Sequence, residues 1–176
     1  YTLLKNVVKM EEEAKRVGYK AVNPYSAMAK YLKASMYYEM TMLVGDLPLT
    51  EALSPDVTYT PKYNTQKEVF VQVLKWLDEA NADMATLIAA GESTVSGDIY
   101  FGGNLLAWQK VNNAFTLRVL VALSAKEYDA DLNVKGKKEN IEKDFTAWVN
   151  SSPIRKAKYG DVLGNIEQGY DEMDKM

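Results

Sequence analysis

Aromatic side chains on two loops are the strongest candidates for chemistry in this sequence, and that chemistry is contact rather than bond making. Tyr59 and Tyr63 flank Pro61 on a proline-rich segment, and Tyr100 and Phe101 lie between Gly97 and Gly103, beside Asp98. Ring faces of this kind stack on the C–H face of a sugar or on an apolar side chain, and a neighbouring carboxylate sets orientation. Tyr59, Tyr63, Asp98, Tyr100 and Phe101 are therefore the candidate ligand-binding residues. A plainer reading competes at each. Tyrosine has an apolar body and a polar tip, so Tyr59 and Tyr63 also suit pinning their loop to the helices, and this is the favoured reading. Neighbours in an extended loop point in opposite directions, so one of Tyr100 and Phe101 is expected to be buried. Gly45-Asp46-Leu47-Pro48 is either a ligand loop or, as favoured, a turn that ends a helix.

Bond chemistry has little to work with. The sequence has no histidine and no cysteine, so an imidazole base, a thiolate nucleophile and a Cys-type zinc site are all missing. Glu11-Glu12-Glu13 and Asp78-Glu79 are consecutive acids on predicted helices. Successive helical residues diverge by about 100°, so neither set cages a metal or flanks a scissile bond. No EF-hand spacing occurs, and no cofactor motif is present. No catalytic, metal-binding or cofactor-binding residue is assigned. A carboxylate enzyme requires two acids from different helices about 5–10 Å apart in one cleft.

The elements that hold these loops read as helices. Leu3, Val7, Met10, Ala14 and Val17 give residues 2–17 a helical stripe that Gly18 stops. Asn23-Pro24 opens a second helix running to Val44, with Gly45 as its stop. Its Met28, Tyr31, Leu32, Tyr38 and Met42 form one apolar face and Ala29, Met36, Met40 and Leu43 another, which predicts a central position. Residues 45–64 carry three of the five prolines and form a long connection. Thr65 to Glu68 is a capping box, and the helix behind it keeps Phe70, Val73, Leu74, Leu77, Ala80, Met84, Leu87 and Ile88 on one face until Gly91. A loop over 91–103 leads to a fourth helix from about Asn104 to Tyr128. One stripe there is Trp108, Val111, Phe115, Val119 and Ala122, and a second is Leu117, Leu120, Val121 and Ser124. Trp108 reads as core, and Asn112 and Asn113 as structural hydrogen-bonding residues. Residues 138–150 suit a short helix, and the last 26 residues suit loops or a short helix. The fold class is all-α: antiparallel helix pairs, similar in architecture to a tetratricopeptide-like right-handed α-α superhelix, with long irregular loops. One helical domain over 1–176 is expected, with residues 134–176 poorly placed by the pattern. The third helix, of about 25 residues, is about 38 Å long at 1.5 Å per residue, so a site shared by Tyr63 and Tyr100 is allowed but not favoured.

Net charge is −3 with lysine and arginine scattered, which argues against nucleic acid as a partner. No apolar run of 18 residues exists to span a bilayer as a helix. The chain opens at Tyr1 directly into a helical pattern, so it is expected to be a processed protein or an internal fragment.

Three segments in order and spacing resemble the SusD/RagB family, nutrient-binding lipoproteins of Bacteroidota outer membranes. Tyr37 to Leu53 reads YYEMTMLVGDLPLTEAL, in which Gly45, Asp46, Pro48, Thr50, Glu51 and Ala52 fill the family's Gly-Asp-x-Pro…Glu-Ala places. Pro61-Lys62-Tyr63-Asn64-Thr65-Gln66 enters a helix that contains Leu77-Asp78-Glu79-Ala80. Gly97-Asp98-Ile99-Tyr100-Phe101-Gly102-Gly103 leads to Trp108-Gln109-Lys110, with Asn113 and Arg118 beyond. The resemblance implies a helix-pair scaffold, a glycan or peptide ligand, and a position on the extracellular face of the outer membrane through a lipid anchor not in this chain. It also implies a partner, a SusC-like TonB-dependent transporter barrel. A helical protein–protein adaptor without a small ligand is the alternative.

Overall fold

A computed structural model describes residues 2–52, 60–92 and 94–150, with the side chains of 142 and 144–150 left aside. Among the described residues five α-helices follow one another: α1 Thr2–Arg16, α2 Pro24–Val44, α3 Gln66–Ala89, α4 Leu105–Ala122 and α5 Val134–Asn150, with a single 3-10 turn at Ser124–Lys126. Two compact units result, residues 1–126 and 127–176.

In the first unit α1 packs on α2, α2 on α3 and α3 on α4, with α2 also reaching α4. The all-α, paired-helix reading holds, and α2 is central as expected. The helix starts are set by local chemistry. Asn23 caps α2, its Oδ1 accepting from Ser26 N at 3.0 Å while Asn23 N donates to Ser26 Oγ at 3.2 Å, and Pro24 takes the first helical position, where no N–H is needed. Thr65 and Glu68 make the same reciprocal box on α3. Asn104 caps α4 through Ala107 N at 3.2 Å. Gly45 ends α2 with φ +77°, the backbone region where a side chain is disfavoured.

The core runs along α3, where Val69, Val73, Leu77, Ala80 and Met84 are fully buried against α2 and α4. Asn112, fully buried on α4, donates from Nδ2 to the Leu77 carbonyl of α3 at 3.0 Å, which is the structural role expected of it. Gln109 Nε2 reaches Asn81 Oδ1 at 3.0 Å one turn away.

Several expected core positions are instead exposed. On α1, Leu4 rather than Leu3 takes the inward place, and Val17 lies outside beyond the last turn. Met42 and Leu43 at the end of α2 are exposed, as are Leu117 and Val121 of the second α4 stripe. Buried and exposed residues alternate along these helices, Leu4 beside Leu3 and Leu120 beside Val121, and periodicity does not say which part of an apolar face a neighbour covers. α4 stops at Ala122 rather than near Tyr128 because the chain tightens into the 3-10 turn, closed by Lys126 N to Leu123 O at 2.8 Å.

In the second unit α5 starts at Val134, four residues ahead of the Lys138 start expected. Asp129 Oδ1 accepts from Asp131 N and Leu132 N, and Asn133 turns at φ +48° into the helix. The expected loops or helix beyond residue 150 lie outside the described residues.

Candidate functional site

The two long connections leave α3 from opposite ends. At its N-terminus the 45–64 connection is laced shut at its base. Leu47 and Asn64 exchange backbone hydrogen bonds at 3.1 and 3.0 Å. Asn64 Oδ1 accepts from Leu49 N, Thr50 N and Thr50 Oγ1, and Glu51 Oε2 accepts from Lys62 N at 2.9 Å. Asp46 Oδ1 accepts from Gln66 N at 2.8 Å, so the Gly-Asp pair ends one helix and satisfies an open N–H of the next. Leu47 is buried beneath it. This is the turn reading of Gly45 to Pro48. Tyr63 does not pin the loop: its side chain is 72% exposed, because Asn64, Asp46 and Glu51 do the fastening with short polar groups. Tyr59 lies outside the described residues.

At the other end, residues 95–104 wind around one carboxylate. Asp98 Oδ1 accepts from Tyr100 N at 2.9 Å. Its Oδ2 accepts from Phe101 N at 3.2 Å, Gly103 N at 3.0 Å and the indole Nε1 of Trp108 at 2.9 Å. Partial burial disfavours the charged form, but these four donors outweigh it and hold the Asp98 carboxyl below its ordinary pKa. The loop closes where Val95 N donates to Gly103 O at 2.9 Å. Gly103 is required there: its φ is +85°, and a Cβ would stand 2.5 Å from the Val95 carbonyl oxygen.

This winding overturns the expectation that one of Tyr100 and Phe101 is buried. Alternation holds for extended backbone, and here the chain turns about Asp98 instead. Both rings stay accessible, Tyr100 at 75% and Phe101 at 42%, and Ile99 beside them is 86% exposed. Both meet Trp108 edge-on, with centroids at 6.1 and 5.2 Å. Trp108 is buried, as its stripe predicts, and rests on Tyr31 at 5.8 Å. Tyr31 touches Phe115, which touches Tyr38, so an aromatic column continues into the core. Burial pushes the Tyr31 phenol above its ordinary pKa, so it stays neutral. Asp98, Tyr100 and Phe101 are therefore brought together, on a floor made by Trp108. Tyr63 stands at the far end of a helix about 36 Å long and does not join them. Among the described residues no group of acids is placed to hold a metal ion, and no helix is long and apolar enough to cross a membrane.

A SusD-like family, described as starch-binding and associating with the outer membrane, matches residues 1–152. The chain belongs to this SusD-like family. Three solved structures are similar to it. An outer-membrane protein of Bacteroides vulgatus whose description names nutrient binding is 37% identical, with TM-score 0.67 over 78% of this chain and 28% of its own. One SusD homologue of Bacteroides fragilis is 41% identical, with TM-score 0.67 over the same shares, and another is 41% identical, with TM-score 0.59 over 69% of this chain and 24% of its own. The SusD-like chain thus spans about a quarter of the length of these relatives. No curated protein matches it.

The motifs behind the resemblance now have physical roles in the SusD-like chain. Gly45-Asp46 joins α2 to α3, the Thr65 box starts α3, and Asp98 with Trp108 folds the loop before α4. The role of Asp98 as the centre of that loop, and of Tyr31 beneath Trp108, was not apparent from residue spacing. The pairing of Gly97-Asp98 with an aromatic ten positions on was the available signal.

Proposed function

We propose that this SusD-like chain is the helical portion of a cell-surface nutrient-binding protein that captures a glycan reversibly, with no bond chemistry, at the Asp98–Trp108 loop. The observation that carries the reading is the exposure of Ile99, Tyr100 and Phe101 on a backbone fixed by Asp98. Apolar rings left in water without a packing partner above them are available to a ligand. A loop already held in shape loses little freedom on binding. Asp98 spends both oxygens on N–H donors, so its part is to position the rings rather than to touch the ligand. Membership of a family described as starch-binding favours a glycan over a peptide.

Family association with the outer membrane supports a place on its extracellular face, beside a TonB-dependent transporter barrel. A protein contact also has a surface to use. Leu43 and Val44 on α2 and Leu117 and Val121 on α4 are exposed, on helices joined by the Glu39–Arg118 ion pair at 3.2 Å. That ledge equally suits the adaptor reading, and the ligand test separates the two. Isothermal titration of the chain with maltoheptaose, with a short peptide panel as control, should show glycan binding that Tyr100→Ala weakens about 5- to 30-fold. Heat from neither class at millimolar ligand would reject capture and leave the adaptor.

A further inference from the structure

The end of the helix pairs that presents Tyr100 carries a second aromatic corner. α1 and α3 finish at this end, and α2 and α4 begin there. Their connections are adjacent, since Lys20 Nζ of the α1–α2 turn lies 3.8 Å from Glu92 Oε1 of the α3–α4 loop. Between the last turn of α1 and the first of α2 opens a cleft of about 360 Å³, lined by Met10, Glu13, Ala14, Val17, Tyr19 and Tyr25. Ligand clefts run from about 300 to 1,000 Å³, so this one suits a small unit of a larger molecule.

The turn that builds the corner is fixed. Gly18 reverses the chain at φ +90°, and Tyr19 N then donates back to Ala14 O at 3.0 Å, folding Tyr19 over α1. Asn23 Nδ2 holds Lys20 O at 2.8 Å and the capping box sets the start of α2, which places Tyr25. The Tyr19 and Tyr25 rings meet at 78° with centroids 5.4 Å apart. Met10 and Tyr25 rest on the same buried cluster as Val95, Leu105 and Trp108, so this corner and the Tyr100 loop share one floor.

Charge in the two connections is spent, and Lys15 on the last turn of α1 lies outside the cleft lining. Residues 18–23 and 90–104 contain three charged side chains, Lys20, Glu92 and Asp98. The first two pair with each other and the third is held by N–H donors. At the cleft rim Glu13 is paired with Arg16 at 2.6 Å and Lys9 at 3.5 Å. What the cleft lining and the two connections offer is ring faces and phenol hydroxyls, which match a ligand that is neutral and rich in hydroxyls.

We infer that Tyr19 and Tyr25 form a second subsite, so that one extended neutral oligosaccharide lies across this end, held at the Tyr100 loop and again at the Tyr19 corner. The inference rests on the capture reading above and adds its reach and its charge class. Neighbouring helix axes are 8–10 Å apart, which puts the two subsites roughly 15–20 Å from each other. Maltose then fills one subsite, and maltoheptaose engages both.

The test is a titration of the ¹⁵N-labelled chain with maltose and with maltoheptaose, read as amide shifts, alongside titration calorimetry of Tyr19→Ala and Tyr19→Phe. Maltoheptaose is expected to move amides around Tyr19 and Tyr25 as well as those of 97–108. Tyr19→Ala is expected to weaken maltoheptaose about 5- to 30-fold, and Tyr19→Phe, which keeps the ring, much less. An unchanged amide spectrum away from position 19 shows that the variants remain folded. Shifts confined to 97–108, with Tyr19→Ala binding as the wild type does, overturn the second subsite and leave capture standing. Shifts in neither region overturn both.

Discussion

Gly103 is where the Asp98 loop comes closest to its own backbone, and replacing it with alanine separates two costs that are usually mixed. The first is conformational. At φ +85° an L-residue is strained, and the left-handed region costs about 1–2 kcal/mol. The second is steric. The new Cβ would stand 2.5 Å from Val95 O and 3.2 Å from Val95 N, both backbone atoms without a rotamer to change. Relief requires the two strands of the loop to part, which breaks the Val95–Gly103 hydrogen bond, worth about 0.5–1.5 kcal/mol net. Gly103→Ala should therefore cost about 1.5–3.5 kcal/mol. Gly102 supplies the control: its φ is +60° and nothing lies within 4 Å of its added Cβ, so Gly102→Ala should cost about 1 kcal/mol. In a chain of this size 1 kcal/mol lowers Tm by about 2–4 °C. The expected falls are thus about 3–14 °C for Gly103→Ala and about 2–4 °C for Gly102→Ala in far-UV circular dichroism melts. If the loop yields locally instead, the indole N–H resonance of Trp108, bonded to Asp98, should move in Gly103→Ala and stay in Gly102→Ala. Equal melting temperatures together with an unmoved indole resonance in both variants would refute the reasoning.

Three further outcomes follow from the same structure. The Asp98 carboxyl is held below its ordinary pKa, so its contribution is present above the unfolded aspartate pKa and lost as pH falls through the lower folded value. The Trp108 indole resonance should stay constant near neutrality and shift on acidification, and Asp98→Asn should remove that pH dependence. Leu77 is fully buried at the centre of α3, so Leu77→Ala should cost about 2–5 kcal/mol in urea unfolding, a large share of a typical 5–15 kcal/mol. Thr65→Ala removes the cap that opens α3 and should cost about 1 kcal/mol by the same measurement.

α2 and α3 were legible because each begins with a strong local signal. Asn23-Pro24, Thr65…Glu68 and the long apolar face from Phe70 to Leu87 all depend on residues within one or two turns of each other, and all three were placed correctly. What sequence spacing could not supply was which part of an apolar face a neighbour covers, and so it did not separate exposed Leu3 and Val121 from buried Leu4 and Leu120 beside them. The candidate site divides in the same way. Glycines bracketing an aromatic pair pointed to Tyr100 and Phe101. Their joint exposure depends on a bond between Asp98 and an indole ten residues on, and no pattern of alternation contains that bond. Tyr19 and Tyr25 were missed for a related reason: they belong to different elements, and only the Gly18 turn brings them together.

A common device explains why the exposed aromatics at both ends are left over for recognition. Each connection in the first unit is closed by short polar side chains on backbone N–H groups: Asn64 and Asp46 at one end of α3, Asp98 and Asn23 at the other. Unsatisfied N–H groups at helix starts and in tight turns are costly, and an Asp or Asn satisfies several of them with few rotatable bonds. The loops are therefore held by polar groups and do not need their large rings as anchors. Tyr63, Tyr100 and Phe101, which in a loosely tied loop would be drawn inward, remain at the surface. The site's stiffness and its available apolar area thus have one cause. A change that loosens Asp98 should bury the rings it now displays.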